Sequence, residues 1–189
     1  MKKFFSYDPK LLLYGFLIVF FASYGQTFFI SLFNTEIRFY YGLSDGEFGL
    51  VYAISTLFSS FILISFAKLI DHIDLRVYSL IVTGGLLLAS IGMVLQLNNI
   101  FYLFIIIFML RFFGQGAMSH AGETSMARYF GNNRGKALSI ATLGGMAGVM
   151  FLPYIVLNYF DNIEMKQLWL YVSISIVVFV PFIFLALSD

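Results

Sequence analysis

Long apolar runs separated by short polar breaks dominate the chain. Six of them stand out, roughly 11–33, 47–69, 77–97, 99–122, 136–159 and 167–187. A helix rises ~1.5 Å per residue, so ~20 residues cross the hydrocarbon of a bilayer. Backbone groups in lipid have no water to bind, so an open-ended span must be a helix. The pattern therefore predicts an all-α membrane protein with six transmembrane helices. The first run is too long for the apolar part of a signal peptide, and no small-x-small cleavage site follows it.

The polar interruptions show a period. Tyr24-Gly25-Gln26 in the first run matches Phe113-Gly114-Gln115 in the fourth, at an offset of 89 residues. The same offset carries 47–69 onto 136–158 and 77–97 onto 166–186. Residues 1–189 then read as a single six-helix bundle of two repeats, 11–97 and 99–187. A repeat of three spans has odd length, so its copies cross the membrane in opposite directions. This is a 3+3 inverted repeat, the plan of many secondary transporters, whose sites lie near the midplane between the repeats.

Composition narrows the class. The 189 residues are 60% hydrophobic, 20% aromatic and 11% charged, too apolar for a soluble domain of this length. A net charge of +1 gives no nucleic-acid footprint. The absence of cysteine excludes disulfides, thiolate zinc sites and cysteine nucleophiles. His72 and His120 have no metal-ligand spacing, and neither a metal nor a cofactor is expected. The basic residues are asymmetric. With the N-terminus inside, Lys2, Lys3, Lys10, Lys68, Arg76, Arg128, Arg134 and Lys136 fall on the cytoplasmic side, and only Arg38 and Lys166 fall outside. That bias predicts an integral protein of the cytoplasmic or plasma membrane with both termini cytoplasmic.

Arg111 belongs to neither side. It lies about 18 Å along the fourth run from Asn99, near the bilayer centre. A charge at that depth costs at least ~2.5–3.5 kcal/mol and stays only where it faces protein or a wet cavity. Gln115 is one turn on, on the same face. In the first run Ser23, Thr27, Ser31 and Asn34 form a polar stripe, with Gln26 beside it. Two readings stay open: Arg111 ties the fourth helix to the first, or it meets a substrate or a proton directly.

Two matches to enzymes fail. Gly131-Asn132-Asn133-Arg134-Gly135-Lys136-Ala137 is one residue short of a phosphate loop, and Ala137 stands where Ser or Thr must meet magnesium. Ser119-His120 suggests an intramembrane serine protease, but no nucleophile elbow surrounds Ser119 and the sixth run holds no histidine. The chain is not expected to be an enzyme.

The residues do resemble a known family. The six-helix layout is similar to the N-terminal half of a major facilitator superfamily transporter. "RFFGQGA" from Arg111 resembles that family's fourth-helix motif, an arginine followed by closely spaced glycines. "ARYFGNNRGKALSIATLGGMAG" from Ala127 resembles the fourth-to-fifth helix segment of its oxalate/formate and monocarboxylate branch. "AKLIDHIDLR" resembles the signature loop after the second helix; it keeps Asp71 and a basic residue at Arg76, but has Ala67 and Asp74 where glycines are usual. The resemblance implies that helices one and four line a central cavity, two and five close it, and three and six face lipid. It implies gating roles for Asp71 and Arg76. Asp71 would anchor its loop to the opposite half, and Glu123 and Arg134 could pair across the loop between helices four and five.

The expected function is secondary active transport, proton- or ion-coupled or by exchange, of a small organic solute, most simply an organic anion. Arg111 would hold a carboxylate, with Gln115, Gln26, Thr27 and Tyr24 completing the substrate site. No acidic residue is expected deep in any helix, so a proton-relay carboxylate would lie in the missing half, or coupling would use something else. The expected partners are the lipid bilayer, the small-molecule solute, and a missing C-terminal six-helix half or a second copy. The chain is expected to be a fragment of a full transporter, a half-size protein that must dimerise, or a non-transporting membrane interaction protein.

Overall fold

The computed structural model describes residues 9–159 and 163–187, so Lys2 and Lys3 lie outside the described residues. Among the described residues all regular structure is helical. Six helices are long and apolar enough to cross a membrane: Pro9–Ser31, Asp45–Asp71, Leu75–Leu95, Ile100–Tyr129, Gly131–Asn158 and Met165–Ala186. We number these spans one to six. The all-α, six-span class expected from the apolar runs is the class observed.

The starts of the spans follow from local hydrogen bonding. Ser44 and Glu47 form a capping box before span two, with Glu47 N donating to Ser44 Oγ at 3.3 Å and Ser44 N to Glu47 Oε2 at 2.8 Å. Asp74 accepts from Arg76 N at 2.7 Å before span three. Asn99 accepts from the amides of Phe101 and Tyr102 before span four. Three features depart from the apolar pattern. Span one is not a straight helix; it breaks at a 3₁₀ turn over Ser23–Gly25 and restarts at Thr27. A short helix, Asn34–Tyr41, follows it and ends at Gly42 with φ of +65°. Span four runs on to Tyr129 rather than stopping near 122, because its last turns are helical but polar and no longer register as apolar.

Spans one and four cross at the centre of the bundle. Span five packs on span one, span two on span four, and span three on span six. Span three also touches four, and span six touches one. These pairings map onto themselves when one, two and three are exchanged for four, five and six; the exceptions are two contacts between spans consecutive in the chain, four with five and the end of two with three. The small residues follow the same exchange. Ser55 and Ser59, buried on span two, correspond at an offset of 89 residues to Gly144 and Gly148 on span five. A Cβ on Gly144 would strike the backbone of Phe16, and one on Gly148 the side chain of Ser23. Glycine there lets two backbones come close, as membrane helices require when no hydrophobic effect drives them together.

Spans three and six form a continuous apolar pair around Trp169, which is fully buried, with Val82, Leu86, Ile176 and Ile183. Their buried serines Ser79, Ser90 and Ser173 donate to the carbonyls of Leu75, Leu86 and Trp169 one turn back, and Ser79 Oγ also lies 2.6 Å from the Tyr14 hydroxyl of span one. The outer face of span six is apolar and exposed at Leu170, Ile174, Val178 and Leu185, as a surface against lipid should be. Spans two and five are the least covered, exposing Leu57, Phe61, Ile64, Met146, Met150 and Tyr154.

Candidate functional site

The site forms where spans one and four are both irregular. In span one the 3₁₀ turn leads to Gln26 in an extended conformation (φ −78°, ψ 152°). In span four the helix is wound as a π-helix from Leu110 to Met118. Such wide turns sit often at functional positions. The two glycines of the 89-residue motif meet here. A Cβ on Gly25 would lie 2.7 Å from Gly114 Cα, and one on Gly114 the same distance from Gly25 Cα. The break leaves the Gly25 carbonyl outside the restarted helix, free to accept from another element.

Arg111 uses that opening. Its Nη1 donates to Gly25 O at 3.3 Å and to Thr27 Oγ1 at 3.1 Å, and its Nε donates to Thr56 Oγ1 of span two at 3.2 Å. The guanidinium carbon sits 5.3 Å from the ring centroid of Tyr52, whose hydroxyl donates to Thr27 Oγ1 at 2.9 Å. A cation over an aromatic face is attracted by the ring quadrupole. Arg111 is 6% exposed, and all these partners are neutral. The ion pairs Arg38–Asp45 and Arg128–Asp71 lie elsewhere, and no carboxylate is among the partners of Arg111.

Three cavities surround this cluster. One of about 300 Å³ lies between spans two and four, lined by Thr56, Ser59, Arg111, Gln115, His120 and Glu123 among others. Gln115 Oε1 is buried there without a hydrogen-bond partner, which in a polar cavity points to a donor from solvent or ligand. A second, of about 380 Å³, lies between spans one, four and five, and shares Ser119 and Glu123 with the first. Gln26 lines it. A third, of about 290 Å³, opens towards the other end and is lined by Thr27, Asn34, Asp45 and Tyr52. Arg111 and Thr56 face the first cavity, Thr27 and Tyr52 the third. Their hydrogen-bonded cluster is the partition between the two.

The expected site residues therefore separate. Arg111, Gln115 and Thr27 come together. Gln26 lies in the neighbouring cavity. Tyr24 turns away: its hydroxyl is 3.1 Å from Ser175 Oγ on span six, and its ring packs edge-on against Phe21 and Phe29. The polar stripe of span one is split by the 3₁₀ turn. Ser23 is buried against span five, whereas Ser31 bonds back to Phe28 O. Asp71 pairs with Arg128 at the end of span four, within the same bundle, and Arg128 also donates to Ile70 O at 3.1 Å. Glu123 and Arg134 do not pair, because Glu123 faces the cavities while Arg134 lies beyond the 3₁₀ turn Gly131–Asn133, exposed at the start of span five. Arg76 donates to Leu187 O and so ties the start of span three to the end of span six. Sequence reasoning missed Tyr52, Thr56 and Arg128. A hydroxyl within the apolar run at Thr56 was the one readable signal. No cluster of metal-ligating residues occurs among the described residues.

An apolar six-span bundle with a buried, unbalanced cation at a cavity is an integral membrane protein of the transporter type. The family model of the Major Facilitator Superfamily matches residues 15–189, and the chain belongs to that superfamily. No curated protein and no solved structure matches the chain.

Proposed function

We propose that the protein carries a small organic anion by secondary active transport, coupled to a proton or ion or by exchange, and that Arg111 recognises the anion. The carrying observation is that Arg111 is buried at mid-span, held only by neutral groups, and faces a cavity with the unpartnered Gln115. A carboxylate entering that cavity replaces the weaker hydroxyl contacts with a charge-assisted pair, for which the forked guanidinium is suited. Thr27 and Thr56 hold the guanidinium, Gln115 orients the ligand, and Gln26 meets a ligand that extends into the adjoining cavity. Tyr24 supports span one through Ser175. The Asp71–Arg128 pair and the Arg76 link to Leu187 O hold the cytoplasmic end of the bundle closed. The partly uncovered faces of spans two and five receive a second six-helix half or a second copy. Membership of the superfamily supports membrane transport, and the resemblance of the segment from Ala127 is the ground for a monocarboxylate-like substrate class.

Uptake of labelled formate, oxalate and lactate into liposomes tests the reading. Arg111→Lys is expected to insert and unfold thermally like the native protein but to lose most binding and uptake. Normal binding by Arg111→Lys defeats the recognition role. Loss of stability together with binding assigns Arg111 to a structural tie. For orientation in the plasma membrane, a cysteine at Asn98 is expected to react with an impermeant thiol reagent outside cells and one at Asn132 is not. The reverse pattern inverts the topology.

A further inference from the structure

The cavity between spans two and four holds more chemistry than anion recognition uses. Beyond Gln115 it is lined by Ser119, His120 and Glu123. Glu123 reaches it from the polar last turns of span four, which continue to Tyr129. His120 Nε2 is 3.2 Å from Thr124 Oγ1, and its Nδ1 is buried without a partner. The charges that act on His120 are Asp71, at the end of span two, and Glu123 and Arg128 on its own helix. The cavity wall facing it from span two is neutral, with Ser59, Ser60 and Leu63. The span-five lining of the adjoining cavity, including Thr142 and Met146, is neutral as well.

We propose that His120 and Glu123 bind the proton that accompanies the anion held by Arg111. This rests on the anion reading of Arg111. With Glu123 ionised and His120 neutral, the inner half of the cavity is negative and repels an anion leaving Arg111. One proton, taken from water at the inner mouth onto either of these two groups, offsets that charge, and its return to water restores it. Anion and proton occupy one cavity of about 300 Å³, so each stabilises the binding of the other. Such coupling is reciprocal by thermodynamic necessity.

The test uses the protein in lipid nanodiscs with His72→Gln, an exposed position, so that His120 is the remaining imidazole of the two. Its nitrogen NMR signals are followed from pH 5 to 8.5 with formate, oxalate or lactate, against sodium chloride of equal ionic strength. A bound anion is expected to raise the pH at which His120 titrates by about one unit, and to bind about tenfold more tightly at the acid end. Glu123→Gln is expected to lower the His120 titration and weaken the pH dependence. His120→Gln is expected to leave anion binding in place with little pH dependence. An anion that binds Arg111 with the same affinity across the range overturns this inference alone. So does a pH dependence that survives both substitutions. If none of the three anions binds at any pH, the anion reading falls and this inference falls with it.

Discussion

Spans one and four, and spans three and six, are the two pairs in which each helix meets its own counterpart at the 89-residue offset. They are built differently. The three–six pair is regular, apolar and closed around Trp169, and its serine hydroxyls donate to carbonyls of their own helices, with Ser79 and Ser175 also meeting the Tyr14 and Tyr24 hydroxyls of span one. The one–four pair is broken in both members, by a 3₁₀ turn at Ser23–Gly25 and a π-helical stretch at Leu110–Met118. There the Thr27 hydroxyl and the freed Gly25 carbonyl accept from Arg111, with Thr56 of span two as a third partner. A regular helix satisfies its own backbone and has nothing to offer a ligand. Irregular backbone within a membrane is tolerated where it is buried in protein or lines a cavity, and the one–four crossing does both. The difference separates the pair that holds the bundle from the pair that can act.

The largest effect that tests this contrast is steric. Gly25→Leu drives a side chain into the backbone of Gly114 and the Leu110 carbonyl, neither of which can rotate away. The expected cost exceeds about 3 kcal/mol, beyond ordinary overpacking, and should abolish a cooperative thermal transition. Gly84→Leu is the control on span three, because nothing lies within 4 Å of its Cβ position. It is expected to leave the transition unchanged. Equal losses from both would remove the special status of the crossing.

Next come two large side chains, one from each pair. Trp169→Ala empties the three–six core and is expected to cost about 3–5 kcal/mol, with anion affinity unchanged in the protein that remains folded. Arg111→Met is expected to behave in the opposite way. It removes a buried cation, so thermal stability holds or rises, while anion binding falls at least about 30-fold. Thermal unfolding and binding measured on the same preparations decide both. A stability loss in Arg111→Met as large as that in Trp169→Ala makes the two pairs alike and removes the contrast.

The fold was legible because bilayer thickness imposes one length on every span. Arg111 was legible for a related reason, since a charge within an apolar run is conspicuous. The glycine motif was legible as a repeat, but not as a contact between Gly25 and Gly114, because an offset says nothing about which faces meet. Tyr24 was misplaced by its sequence neighbours. The 3₁₀ turn rotates its side chain to Ser175, and no periodicity read from a straight helix could show that. Thr56 and Tyr52 are partners through tertiary packing alone. Glu123 was read as a loop residue rather than a cavity residue, because hydropathy marks where a span stops being apolar, not where it stops being helical.

The smallest expected effect is the finest test of the contrast, because it compares one hydroxyl from each pair. Ser173→Ala removes a hydroxyl that bonds to Trp169 O one turn back in its own helix. That carbonyl already serves the helix, and such back-bonds add little, so stability is expected to change by less than about 0.5 kcal/mol and binding not at all. Thr27→Val removes a hydroxyl that accepts from both Arg111 Nη1 and Tyr52 Oη. Valine keeps the shape but cannot accept, so the guanidinium loses one of its fixed contacts and the partition between the two cavities loosens. A hydrogen bond to a charged group contributes roughly 1.5–3 kcal/mol, which puts the expected fall in anion affinity at about tenfold or somewhat more. Thermal stability should change less than binding does, because Gly25 O and Thr56 still hold Arg111. Isothermal binding of formate, oxalate or lactate to the two variants reads this directly. If Thr27→Val binds as the native protein does, the hydroxyl only fills space, and Arg111 is positioned by the Gly25 carbonyl and Thr56 alone.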